Sequence, residues 1–264
     1  MIFKYRTGLE AVGAIVPETI IVLSEYASQK DWDQVKHAVV KENLLMKRSS
    51  KRIRKILKAV KGRFLRNPST LPSAVQLART MAADIPVTSK VQMLYPYHCR
   101  SDSLVEQSIL RLVGPRLTSS SLRELTPRDV HSFLVAERRA HPELRQWSDY
   151  LRRRWSRGFL SFLRDYGLME PAPSNLLIKP SIRIEPYAFF LLNLLWRGAT
   201  VESVLNDDLW QLFMLTEGDQ ENLLAKAQAA GWLHYLRAGE IVELSSTHDS
   251  FEEWLDELGR RKIR

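Results

Sequence analysis

Between Ser50 and Arg66 the apolar residues stand at Ile53, Ile56, Leu57, Val60 and Phe64. That spacing draws one narrow stripe along a helix of 3.6 residues per turn. Nearly everything else there is cationic: from Lys47 to Arg66, ten of twenty residues are Lys or Arg and none is acidic. The pattern predicts a helix pinned by one face, with Lys51, Arg54, Lys55, Lys58 and Arg66 on the other. Ser49 or Ser50 supplies its N-cap. Asn67-Pro68 ends it, because the residue before a proline is pushed out of the α region.

Helical signals continue on both sides. Pro17 and Glu18 suit a first turn, with ETIIVLSEYASQ running to about Gln29. Asp31 caps a helix with Trp32, Val35, Val39 and Val40 on one face. Further helices are expected at Pro72–Ala83, Thr88–Tyr97 and Asp102–Val113. Thr126-Pro127 opens another through Arg139, and Ser148 caps one to Tyr166, stopped by Gly167. In that last helix Leu151, Trp155, Phe159, Phe162, Leu163 and Tyr166 form the buried face. Short extended pieces are expected at Leu176–Lys179 and Ile182–Ile184. WLHYLRAGEIVELSS reads as a hairpin after a Thr216-capped helix, a winged-helix layout, and Asp249 or Ser250 caps a final helix. The fold class expected is mainly α, with helix-turn-helix-like units and a small hairpin. The Ser-rich LTSSSL divides it into a basic helical domain, 1–116, and a helical domain with the winged unit and an acidic tail, 117–264.

Composition narrows the setting. The one cysteine, Cys99, excludes an intramolecular disulfide and fits a reducing cytoplasm. MIFKYRTGLE carries no apolar signal core. The longest uncharged apolar run, PYAFFLLNLLW, has 11 residues, against the roughly 20 of a spanning helix, so no membrane association is expected. Net charge is +9, distributed as +11 over residues 1–116, +3 over 117–170 and −5 over 171–264. Such asymmetry favours a local anionic partner.

Catalytic signatures are absent: no GxxxxGK[ST], no GxGxxG after a strand, no HExxH and no GxSxG. His98-Cys99 lacks the second pair of a zinc site. Asp31/Asp33 and Asp207/Asp208 read as cap and turn residues, and no strand pairs acids with a lysine as metal-dependent nucleases do. No catalytic residue, metal or cofactor is expected, and the chain reads as no enzyme.

The basic helix carries the functional reading. Like charges at i,i+4, such as Lys51/Lys55 and Arg54/Lys58, cost about 0.2–0.5 kcal/mol per pair, which a polyanion would relieve. With the preceding helix and a short turn it forms a helix-turn-helix-like succession, whose second helix faces the major groove. The DNA-contact candidates are Lys47, Arg48, Lys51, Arg52, Arg54, Lys55 and Lys58. In WSDYLRRRWSRG, Arg152, Arg153 and Arg157 extend the footprint, arginine being suited to bidentate phosphate or guanine contact; salt bridges to the acidic C-terminal part are the competing role for that cluster. An adaptor docking an acidic protein and an RNA-binding helical factor are the alternatives for the whole chain. The latter lacks an evident aromatic platform for unpaired bases.

The opening KYRTGLEAVGAIVPETIIVLSEY and the following DWDQVKHAVVKENLLMKRS resemble the start of the BrxA family of bacteriophage-exclusion (BREX) defence systems. HPELRQWSDYLRRRWSRGFLSFLRDYGLM is similar to that family's HPEL-x-x-WS segment and its helix ending in Gly-Leu. LWQLFMLTEGD and GWLHYLRAGEIVEL resemble its closing helix and hairpin. The resemblance runs from Lys4 to Leu244, leaving out NPSTLPSAVQ and the tail after Ser245. It implies a small helical, cytoplasmic, double-stranded-DNA-binding protein that works beside a methyltransferase, a phosphatase-like protein and an ATPase. It brings no catalytic residue. A monomer is expected.

Overall fold

In the computed structural model these local signals become a mainly helical chain with one two-stranded hairpin near the C-terminus. The structure describes residues 5, 8–66, 70–118, 123–239 and 241–260. The first four helices are α1 (Leu9–Val12), α2 (Val16–Gln29), α3 (Trp32–Lys41) and α4 (Ser50–Val60), the last extended by a wider π-turn over Lys61–Leu65. Asp31 and Ser49 cap α3 and α4 by accepting from Gln34 N and Arg52 N. The expected stop at Asn67-Pro68 lies outside the described residues.

Then come α5 (Ala74–Ala82), α6 (Val87–Ser101), α7 (Ser103–Ser108) and, after a second π-turn at Ile109–Val113, α8 (Gly114–Thr118). Helix α6 runs past its expected end at Tyr97 with Pro96 inside it. An interior proline costs about 3 kcal/mol. Met93, Leu94, Tyr95 and Tyr97 are all buried around it, each contributing about 1.5–3 kcal/mol, so packing wins over local propensity.

Helices α9 (Pro127–Glu137) and α10 (Asp149–Asp165) begin at the Thr126 and Ser148 caps, with a 3-10 turn at Pro142–Gln146 between them. Trp155, Phe159, Phe162, Leu163 and Tyr166 of α10 or its end are buried as the spacing predicts, while Leu151 is half-buried. Gly167 follows at φ 75°, the left-handed value that ends the helix. The piece at Leu176–Lys179 makes only isolated bridges, Glu124 with Leu176 and Met169 with Leu177. Ile182–Ile184 is not a strand. Arg183 N donates to Gln92 Oε1 and its guanidinium holds Glu185, so Ile184 opens the buried helix α11 (Ile184–Trp196).

The C-terminal part holds α12 (Val201–Leu205), α13 (Leu209–Leu212), α14 (Glu217–Ala229), the antiparallel strands β1 (Leu233–Ala238) and β2 (Ile241–Ser246), and α15 (Phe251–Arg260). Residues 119–122 of the expected boundary LTSSSL lie outside the described residues. Buried residues from both sides of it join one hydrophobic cluster. His98 of α6, for example, meets Phe162 of α10 edge-on at 5.0 Å.

The short α1 packs against both α4 and α10. Its contact with α10 is at Gly158, where an added Cβ would lie 3.5 Å from Glu10 Cα and 3.7 Å from Glu10 N. One carbon fits there in ordinary contact and a branched side chain does not. Gly158→Ala is therefore expected to unfold in urea within about 1 kcal/mol of the parent, and Gly158→Leu to lose about 1–3 kcal/mol by overpacking.

Candidate nucleic-acid interface

Helix α4 buries Ile53, Ile56, Leu57 and Val60 and exposes Lys51, Arg54, Lys55 and Lys58. Arg48 is exposed just before it. Among the described residues none of these five cations pairs with an acid. They form one outward stripe at helical spacing, with its positive charge uncompensated.

The entry to this helix is longer than a tight helix-turn-helix connection of 3–4 residues: residues 42–49 separate α3 from α4. Asn43 and Met46 take left-handed φ values of 47° and 50°, and Asn43 Oδ1 accepts from Lys47 N at 3.0 Å. The Lys47 ammonium reaches Glu18 of α2 at 2.8 Å. Burial alone would raise the Glu18 carboxyl, but the Lys47 bond and a backbone hydrogen bond outweigh it and hold the group below its ordinary value. Lys47 thus anchors the turn to α2.

Arg52 is also engaged. It donates to Val12 O at 3.3 Å and Ala11 O at 3.5 Å, taking carbonyls at the end of α1. From the π-turn, Arg63 adds a 2.6 Å bond to Gly13 O. Its guanidinium is deeply buried, which lowers its affinity for a proton. Nearby Asp102 caps α7 by accepting from Leu104 N and Val105 N. Burial pushes its carboxyl up to about 6, against the opposing pull of those two bonds and of Arg63.

The second cluster divides. Arg152 is only 9% exposed, donates to Leu144 O and Trp147 O, and lies 3.9 Å from Asp149, so its guanidinium is engaged within the fold. On α10 it falls on the buried side with Trp155 and Ser156, and its charge secures the turn that carries HPEL. Arg153 is exposed but pairs with Asp149 at 2.7 Å. Arg157 is exposed, its Nε directed at Arg153 O. The short helix α1 contacts both α4, which carries the stripe, and α10, which carries Arg153 and Arg157.

Residues of α3 missed in the sequence complete the surface. Val35 and Val39 are buried, but Val40 is 40% exposed and faces α4 across a groove of about 730 Å³. Trp32 and Leu57 share its apolar floor, and Lys36, Lys41, Arg54, Lys58 and Lys61 line it. Lys61 Nζ stands 5.7 Å over the Trp32 ring. The signal available in WDQVKHAVVK was Lys36, His37 and Val40 on the side away from Val35 and Val39.

The C-terminal unit differs in charge. Arg237 of β1 pairs with Glu217 and Glu221 of α14, and Lys179 pairs with Asp219 at 2.5 Å. Its strands expose Leu236 and Ile241 instead.

The BrxA family profile matches residues 3–192. The chain belongs to the BrxA family. It is thereby a component of a BREX phage-defence system. The match ends within α11, so the closing helix and hairpin lie beyond it. A crystal structure of an uncharacterized protein from Magnetospirillum magneticum superposes with a TM-score of 0.62 at 15% identity, covering 80% of this chain and 98% of that one, a likeness of fold. No curated protein matches. Among the described residues no helix is long and apolar enough to cross a membrane.

The family signatures meet in space. Tyr5 of KYR stacks on His141 of HPEL at 3.7 Å, and its N–H donates to Glu143 Oε1 at 2.7 Å. The Tyr5 hydroxyl faces Glu137, which Arg111 holds through two bonds of 2.6 and 2.8 Å. Burial first, and then Glu137, push the Tyr5 phenol up to about 12. These contacts latch Tyr5 onto α9 and the α9–α10 connection.

Two outcomes follow for this BrxA-family chain. Leu144 O also accepts from Trp147 N, so Arg152→Ala chiefly strands the Trp147 carbonyl and is expected to cost about 1–3 kcal/mol, whereas Arg157→Ala changes stability by less than about 0.5 kcal/mol; chemical denaturation compares them. Asp102→Asn keeps a capping oxygen and removes an ionisation that the folded state resists. A carboxyl raised on folding loses stability as pH rises through the window from about 4 to 6. The Asn variant should therefore exceed the parent by on the order of 2 kcal/mol at pH 7, with the difference vanishing near pH 4.

Proposed function

We propose that this BrxA-family chain is a non-catalytic double-stranded-DNA-binding component of its BREX system. The observation that carries the reading is the stripe of Arg48, Lys51, Arg54, Lys55 and Lys58, exposed and without acidic partners among the described residues. Unpaired cations on a rigid, capped helix are placed to exchange condensed counterions for phosphates. Affinity then comes chiefly from phosphate neutralisation, with modest sequence preference. Arg153 and Arg157 extend this footprint across α1. Lys47, Arg52 and Arg152 act indirectly, by fixing the turn, α1 and the HPEL segment.

The C-terminal unit suits a different partner. Arg237 is tied to Glu217 and Glu221, and the hairpin exposes Leu236 and Ile241, which supports a winged-helix-like element used for protein contact with other BREX components.

Fluorescence anisotropy of a labelled random-sequence duplex, titrated at several salt concentrations, tests the DNA reading. With about five phosphates neutralised, log K against log[salt] falls with a slope of about −4.5. Lys51→Glu/Lys55→Glu is expected to make that slope shallower by about 2 and to lose most of the binding. A flat titration, or an unaffected variant, assigns the stripe to an acidic protein partner instead.

A further inference from the structure

The groove between α3 and α4 poses an electrostatic problem that the outer stripe does not. Lys36 and Lys41 on one wall face Arg54, Lys58 and Lys61 on the other. Among the described residues the single acid lining it, Asp33, is engaged with Lys36 at 2.5 Å. Like charges held across a cleft repel within a screening length of about 8 Å at physiological salt, and an anion seated between the walls removes that repulsion. The floor adds a second requirement. Trp32 and Val40 offer apolar surface above the buried Leu57, with the Trp32 ring already close enough to Lys61 for cation–π attraction. A paired duplex presents phosphates but keeps its bases stacked inside, leaving that floor uncovered. At about 730 Å³ the space falls in the roughly 300–1,000 Å³ range of small-ligand sites.

We propose that the α3–α4 groove binds a nucleotide, with the base on Trp32 and Val40 and the phosphates between Lys36 and Lys41 on one side and Arg54, Lys58 and Lys61 on the other. Base stacking on an aromatic ring is tolerant of base identity, so the site selects for phosphate charge and a planar ring. The nucleotide is either free or the unpaired end of a nucleic-acid strand, since both present the same chemistry. Arg54 and Lys58 belong to the groove and to the outer stripe alike. Lys36 and Lys41 belong to the groove alone, so the two sites separate by mutation.

Isothermal titration calorimetry of the full chain with ATP, inorganic tripolyphosphate and adenosine tests this. ATP is expected to bind, with tripolyphosphate and adenosine each at least about tenfold weaker. Lys36→Glu/Lys41→Glu, both exposed positions, is expected to weaken ATP by at least about tenfold, while Lys51→Glu/Lys55→Glu changes it much less. A parallel competition uses a blunt duplex and the same duplex with a short single-stranded overhang. An overhang that displaces ATP better than the blunt end, with the preference lost in Lys36→Glu/Lys41→Glu, identifies the strand end as the source. The proposal is overturned if neither ATP nor the overhang is bound preferentially. It is equally overturned if tripolyphosphate binds as well as ATP, or if the Lys36/Lys41 variant leaves binding unchanged. Loss of duplex binding in the Lys51/Lys55 variant concerns the outer stripe and leaves this result independent.

Discussion

A helix of four residues cannot sustain itself, yet α1 is the wedge on which the orientation of the basic face depends. Leu9 is buried, Gly8 N donates to Glu10 Oε2, and Gly158 lets α10 approach the Glu10 backbone. At its far end Arg52 and Arg63 take the carbonyls of Ala11, Val12 and Gly13. Two cations from the most basic stretch of the chain are therefore consumed in holding that stretch against the rest. The Tyr5–His141 stack and the Glu143 bond hold Tyr5, three residues before Gly8, against the α9–α10 connection. Short family signatures far apart in sequence thus share one mechanical task.

This division of labour explains how a strongly basic segment packs at all. Cations that carry a structural role face acceptors: Lys47 an acid on α2, Arg52 and Arg63 backbone oxygens, Arg152 the carbonyls of Leu144 and Trp147. Among the described residues, cations without such acceptors point outward from α4, and Lys41, Lys58 and Lys61 line the groove beside α3. The same rule in the C-terminal unit gives the opposite surface, because Glu217, Glu221 and Asp219 are near enough to neutralise Arg237 and Lys179.

Much of the architecture was legible because its causes are local. The caps Asp31, Ser49, Thr126, Ser148 and Thr216 stand where polar side chains precede apolar periodicity, and each accepts a backbone N–H. The hairpin around Gly239 and the aromatic face of α10 follow from alternation and from 3.6-residue spacing. Where tertiary packing competed, local reading failed. Helix α6 was expected to end at Tyr97 and runs to Ser101, with Pro96 tolerated inside it among buried neighbours. Ile182–Ile184 looked extended and instead leads into a helix, because Glu185 and Gln92 hold Arg183.

The sequence by itself determined that a cationic helix would expose most of its charge, since a narrow apolar stripe leaves no other solution. It also carried the family signatures. Which cations are available was decided only by the tertiary structure. Arg152 and Arg153 are neighbours with equal intrinsic charge, yet one is turned among backbone carbonyls and the other into solvent. The groove beside α3 likewise exists only where two helices meet. Charge is a property of a residue, whereas whether it is spent depends on which acceptors the fold brings within hydrogen-bond reach.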